Sequence, residues 1–255
     1  MGQFNEDLFL TNERGMRLYH SYAEQMPIID YHCHLSPKEI YENKEFEDLG
    51  EMWLSGDHYK WRVMRTFGIP EKYITGDASY YEKYMAFAKI LPELIGNPIY
   101  IWCAFPLKRY LYINGPLSKE NADEIYQKTR SMIRKEHMTR RWCMEKSRVE
   151  LVSTTEDPTD TLEYHFLMRK EQHKTKVVSA FRPDNAMFIT RPTFGDYMKK
   201  LSAAAGIPVQ SFQDMLKALE LRLQYFRQVE TTVSDDGIPY LYWEDFTMDE
   251  IEVIW

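Results

Sequence analysis

Twice between residues 149 and 184 a short run of strand-forming residues closes on charged residues and a proline. Val149 to Thr155 ends in Glu156-Asp157-Pro158, and Lys176 to Phe181 ends in Arg182-Pro183-Asp184. β-Branched and aromatic side chains suit a pleated surface, and a proline just beyond the run stops the ladder. A helical period follows each run: Thr161 to Arg169 after the first, then Thr193 to Ala204 and Phe212 to Gln228 after the second, the last with Ser211 as its cap. Strands that alternate with helices and end in polar residues build βα units around a parallel sheet, which gathers ligands at the strands' C-terminal ends. Thr231 to Gly237 is a fourth, weaker strand end, and Met248 to Trp255 opens another helix.

An earlier strand, Met26 to Asp30, runs directly into His32-Cys33-His34-Leu35. The helical spacing of Met16, Leu18, Tyr19, Tyr22 and Ala23 within Leu8 to Gln25 delivers the chain to it. Nearly all of the ~110 residues before the next strand read as helix. Candidates are Glu39 to Ser55, His58 to Phe67 stopped by Gly68-Ile69-Pro70, Ser79 to Leu94 stopped by Gly96-Asn97-Pro98, and Lys119 to Arg134 with Ser118 as N-cap. The expected organisation is an N-terminal helix and first barrel strand over 1–37, a helical insert over 38–148, and further βα units over 149–255. A closed (β/α)8 barrel takes ~250 residues by itself, and only about 145 remain outside the insert. The fold class is therefore α/β, an incomplete TIM-like barrel of the first four or five βα units with a helical insert after the first strand. Such a sheet is either the front of a longer protein or a half-barrel that covers its edges as a homo-oligomer. The last residues, Asp249 to Trp255, stop mid-pattern without a C-cap, which favours truncation.

Composition narrows the function classes. A net charge of −7 and a basic cluster between Arg130 and Arg148 interrupted by Glu136 and Glu145 argue against nucleic acid as a partner. No stretch reaches the ~18 apolar residues of a membrane helix, and Met1 to Asp7 lacks the layout of a secretory leader, so the cytoplasm is the expected compartment. Cys33, Cys103 and Cys143 are odd in number and widely spaced, as reduced thiols are.

Several groups could carry chemistry. Along a strand, alternate side chains share a face, so His32 and His34 project together and could share a metal, with Cys33 turned the other way into packing. The planar fork of Arg182 suits a carboxylate or phosphate; its bland role is an ion pair with Asp184 or Asp157. Asp57 is a plausible cap for a helix that puts His58 and Arg62 one turn apart, with Tyr59 between them. The carboxylates of 154–158 and of Ser234-Asp235-Asp236-Gly237 could orient a metal-bound histidine or simply cap the next helix. No phosphate loop, Cys-x-x-Cys or nucleophile elbow is present, which disfavours organic-cofactor redox chemistry.

Taken in order, His32-Cys33-His34, the run Gly56 to Arg62, the stretch Tyr73 to Ala78, Gly96-Asn97-Pro98, the segment Ser153 to Pro158 and Phe181-Arg182-Pro183-Asp184 resemble the uronate isomerase (glucuronate isomerase) family, over about Leu8 to Trp255. The resemblance implies an amidohydrolase-like metal-dependent barrel that interconverts D-glucuronate and D-fructuronate, or D-galacturonate and D-tagaturonate, without an organic cofactor. It implies that His32 and His34 bind a divalent metal, zinc first, that His58, Tyr59, Arg62 and Arg182 meet the hexuronate, and that Arg182 holds its carboxylate. It also implies catalytic roles for His58, Tyr59 and Asp236. The family shows Ser-Asp-His-Gly where this chain has Ser234-Asp235-Asp236-Gly237; a carboxylate can still bind metal but cannot donate a proton as imidazolium does. The family's chain also continues, and its last strand brings an aspartate and an arginine to the site. Two other readings are metal-dependent hydrolysis and a non-catalytic fragment that associates through open sheet edges.

Overall fold

The computed structural model describes residues 7–171, 173–239 and 243–255; the reading of the first six residues as leaderless lies outside them. In chain order the elements are α1 (Glu13–Ser21), β1 (Ile28–Asp30), α2 (Pro37–Glu42), α3 (Leu49–Leu54), α4 (His58–Thr66), α5 (Tyr80–Ile90), α6 (Pro98–Arg109), α7 (Ala122–Lys135) and α8 (Arg140–Lys146). There follow β2 (Val149–Glu156), α9 (Glu163–Lys170), β3 (Lys176–Phe181), α10 (Asp184–Met187), α11 (Phe194–Ala205), α12 (Phe212–Phe226) and α13 (Met248–Ile254). Contacts divide the chain into two compact units, Met1–Met26 with Lys44–Cys143 and Pro27–Asn43 with Met144–Trp255.

The first unit is helical, around a core that includes Leu49, Trp53, Met64, Tyr84, Phe87, Leu107 and Ile133. Its helices start where side chains satisfy the first-turn amides: Asp48 accepts from Glu51 N–H, Asp57 from Tyr59 and Lys60 N–H, and Ser79 forms a capping box with Glu82. The expected helix Glu39 to Ser55 is instead two. Asn43 takes the left-handed conformation (φ 49°) that ends α2, and Asp48 caps a fresh start at α3. Gly96-Asn97-Pro98 stops one helix and also opens α6, because Asn97 accepts from Ile99 N–H and Pro98 fits the first turn. The sequence reading passed over α6, which carries Pro106 in its interior. α7 starts at Ala122, later than expected, since the Asn121 side chain turns back to accept from Ser118 N–H at 2.8 Å.

The second unit is α/β, with a parallel three-stranded sheet in the order β1-β2-β3. Register pairs Asp30 with Val152, Thr154 with Ser179 and Glu156 with Phe181. One layer of helices covers it: Ile40 and Met168 pack on Val152 and Val177, and Phe226 meets Phe181 edge-on at 5.1 Å. Beside them α11 and α12 pair through Leu201, Met215 and Ala218. Thr231 to Gly237 does not form the expected fourth strand. It touches the sheet through a single parallel bridge from Ser234 to Phe181.

Among the described residues no single helix is long and apolar enough to cross a membrane. The bent pair Tyr80–Glu93 and Pro98–Arg109 passes that test only jointly, and its Tyr84, Phe87, Cys103 and Leu107 sit in the first unit's core.

Candidate active site

β1 stops at Asp30, so His32 and His34 lie on an irregular segment just past the ladder. Two hydrogen bonds from β2 tether that segment at the residue between them: Cys33 N–H donates to Ser153 O at 3.0 Å, and Thr155 Oγ1–H donates to Cys33 O at 2.9 Å. The Cys33 side chain packs against Ile40, Met144 and Val152, where burial pushes its thiol up to about 11. The two imidazoles stand together on exposed residues, ring centroids 4.9 Å apart and planes nearly perpendicular.

The bridge at Ser234 brings a carboxylate to them. Phe181 N–H donates to Val233 O, Asp235 N–H to Phe181 O, and Ser234 Oγ to Phe181 O, which fixes 233–235 against the end of β3. Asp235 Oδ2 then meets His32 Nδ1, while its buried Oδ1 makes no hydrogen bond and lies 3.9 Å from Arg182 Nε. The carboxylate that meets His32 is thus Asp235. Asp236, its neighbour, is exposed; partial burial and the charges of Asp184 and Asp235 hold its carboxyl above the usual range against the opposing Arg182.

Arg182 is anchored from both ends. Its backbone N–H donates to Glu156 O at 3.0 Å and its Nε to Asp184 Oδ2 at 2.8 Å. Gly237 N–H donates to the other oxygen of Asp184 at 2.8 Å, an approach that needs glycine, since a Cβ there would fall on the Arg182 guanidinium and 2.8 Å from Asp184 Oδ2. Asp157, the other suggested partner of Arg182, accepts from Asn185 and Thr159.

A second polar cluster occupies the opposite face of the sheet. Strand alternation puts Ser153 and Thr155 on one side of β2 and Val152, Thr154 and Glu156 on the other, toward the helices. There Glu156 Oε2 accepts from Ser179 Oγ at 2.6 Å and Thr154 Oγ1 at 2.9 Å, and Thr154 Oγ1 meets His165 Nε2 of α9 at 2.8 Å. Burial raises the Glu156 carboxyl to about 7 and lowers His165 to about 4. Because burial keeps His165 uncharged, its 3.7 Å approach to Glu156 is not an ion pair near neutral pH. Glu156 belongs to this cluster, away from the histidine pair.

In the first unit, the rings of His58 and Tyr59, just after the cap at Asp57, lie tilted at 32° with centroids 4.3 Å apart. Trp102 of α6 meets the Tyr59 ring edge-on at 6.1 Å, and the Arg62 guanidinium stands 5.9 Å from its centroid. The structure therefore groups His58, Tyr59 and Arg62 with one another in one unit, and His32, His34, Arg182, Asp235 and Asp236 in the other.

For a divalent metal the donor chemistry of the pair is right: two imidazoles side by side, one gripped at Nδ1 by a carboxylate, which leaves its Nε2 as the ligating atom. Among the described residues, however, no group of three or more His, Cys, Asp or Glu is arranged to hold an ion. His32 and His34 would supply two ligands if such an ion were bound.

The glucuronate isomerase family model matches residues 1–255. The uronate isomerase of Caldanaerobacter subterraneus subsp. tengcongensis is 45% identical over 251 residues, covering 98% of this chain and 54% of its own length. That of Bacillus pumilus is 46% identical over 250 residues, covering 98% and 52%. The crystal structure of uronate isomerase from Thermotoga maritima superposes with a TM-score of 0.88 at 32% identity, over 99% of this chain and 59% of that one. The chain spans about half the length of the curated relatives it matches.

Proposed function

The chain belongs to the glucuronate isomerase family, and on that footing we propose that it serves the aldose-ketose isomerisation of hexuronates: D-glucuronate to D-fructuronate and D-galacturonate to D-tagaturonate. The observation that carries the proposal is the family match across residues 1–255. The convergence of His32, His34, Asp235 and Arg182 at the C-terminal ends of parallel strands supports it. In this reading the three strands and the Ser234 bridge are the opening part of an incomplete (β/α)8 barrel, and the compartment is the cytoplasm.

Isomerisation of a uronate asks for three things: a fixed carboxylate, polarised oxygens at C1 and C2, and a group that moves a proton between those carbons. Arg182, already aimed by Asp184 and the Glu156 carbonyl, is proposed to take the sugar carboxylate through its planar donors. Asp235 accepts from Nδ1–H of His32 and sets the tautomer that leaves Nε2 for a cation. A divalent cation, zinc first, held by His32 and His34 with further ligands would polarise the substrate oxygens when bound. Asp236 is proposed as a proton acceptor, which its raised affinity for protons favours. His58, Tyr59 and Arg62 are assigned to substrate from the family resemblance. No organic cofactor enters the scheme, and no observation favours the hydrolytic alternative.

The test separates binding from turnover. Calorimetric titration of the purified chain with zinc and then with D-glucuronate is expected to show both bind, and Arg182→Lys is expected to weaken the sugar acid at least ~10-fold. Turnover of the 255-residue chain is expected to be weak or absent, because among the described residues no group of three or more His, Cys, Asp or Glu is arranged to hold an ion. A chain that takes up neither zinc nor hexuronate would sink the reading.

A further inference from the structure

The ladder between β1 and β2 ends at Asp30, yet the catalytic geometry is asked of residues two and four positions further on. Between them, Cys33 is tied to β2 by a pair of bonds. A peptide unit is planar, so the Cys33 N–H lies in the plane that carries the His32 Cα, and the Cys33 C=O in the plane that carries the His34 Cα. Ser153 O fixes the first plane by an ordinary backbone bond, and Thr155 Oγ1 fixes the second by a side-chain bond of 2.9 Å. His32 has additional restraint from Asp235 at Nδ1 and from Asp30 Oδ1 on its own N–H. Thr155 is half-buried on the face of β2 that also carries Ser153, two residues away, opposite the Thr154 and Glu156 cluster.

From this geometry we infer that Thr155 is a positioning residue for His34: its hydroxyl replaces the missing ladder and sets the angle at which the second imidazole meets the first. The inference deepens the cation reading above and rests on it only for the consequence, not for the geometry.

The test compares Thr155→Val, which keeps the shape and removes the hydroxyl, with Thr155→Ser, which keeps the hydroxyl. NMR reads the cross-relaxation between the His32 and His34 rings and the His34 ring shifts in the metal-free chain, and a cobalt(II) titration reads affinity. Thr155→Val is expected to lose the inter-ring signal and to bind cobalt at least ~10-fold more weakly, with Thr155→Ser within about twofold of the parent on both readouts. Thr155→Ala carries the same loss if the valine variant does not fold. An inter-ring signal that survives in the folded valine or alanine variant overturns the inference whatever the metal does. A parent chain that binds no cobalt, while its valine variant still loses the ring signal, overturns the cation reading and leaves Thr155 as the positioning residue.

Discussion

Glu156 lies at the end of β2 but turns its carboxyl to the helix side, into a cluster with Thr154, Ser179 and His165. Burial raises its pKa from 4.5 to about 7, so the folded state holds the proton more tightly than the unfolded chain. The stabilising contribution of that proton is therefore complete below the unfolded value and is lost as pH rises through about 7. His165, lowered to about 4, behaves oppositely: its contribution is complete above its unfolded value of 6.5 and is lost as pH falls through about 4. Glu156→Gln keeps an acceptor for Ser179 and cannot ionise. Its stability relative to the parent is expected to rise between about pH 5 and pH 8, by up to roughly 3 kcal/mol, in denaturant unfolding followed at each pH. A pH-independent difference would show that the parent carboxyl titrates normally. At the same scale, Arg222 is buried on α12 and donates to the carbonyls of Pro158, Asp160 and Ala204, which pins the loop after β2.

Among elements, the helices of the first unit are specified mostly by their starts. Ser79 and Glu82 close a capping box at α5, whose Tyr84, Phe87 and Ala88 are fully buried. Ser79→Ala removes the acceptor for Glu82 N–H and is expected to cost about 1 kcal/mol, read as a lowered urea midpoint at unchanged slope; Ser79→Asp should recover most of it. An alanine variant as stable as the parent would mean the packing of α5 alone sets its start. The same logic explains the break between α2 and α3, where a left-handed Asn43 and the cap at Asp48 divide one continuous helical period. Periodicity shows that a segment is helical, whereas only the cap chemistry shows where it restarts.

At the scale of the molecule, the sheet ends at β1, where Ile29 is 63% exposed and Ile28 47%. An apolar edge strand is a template for another chain. The 255-residue chain is accordingly expected to show a mass that grows with concentration in sedimentation equilibrium, and Ile29→Lys to reduce that growth. A mass of one chain at every concentration would show that the edge pairs with nothing.

The sequence by itself determined the parallel βα character, the two strands at Val149 and Lys176, the caps at Asp57 and Ser211, and the pairing of His32 with His34, because each follows from a period or spacing within a few residues. The tertiary structure decided which of two adjacent carboxylates meets His32. The choice of Asp235 over Asp236 depends on how a single bridge sets the parity of 233–235 against Phe181, a contact some fifty residues long in sequence. It likewise decided that Thr155 faces the histidines and Glu156 the helices: neighbours on a strand point opposite ways, and only the packed layers say which way is which.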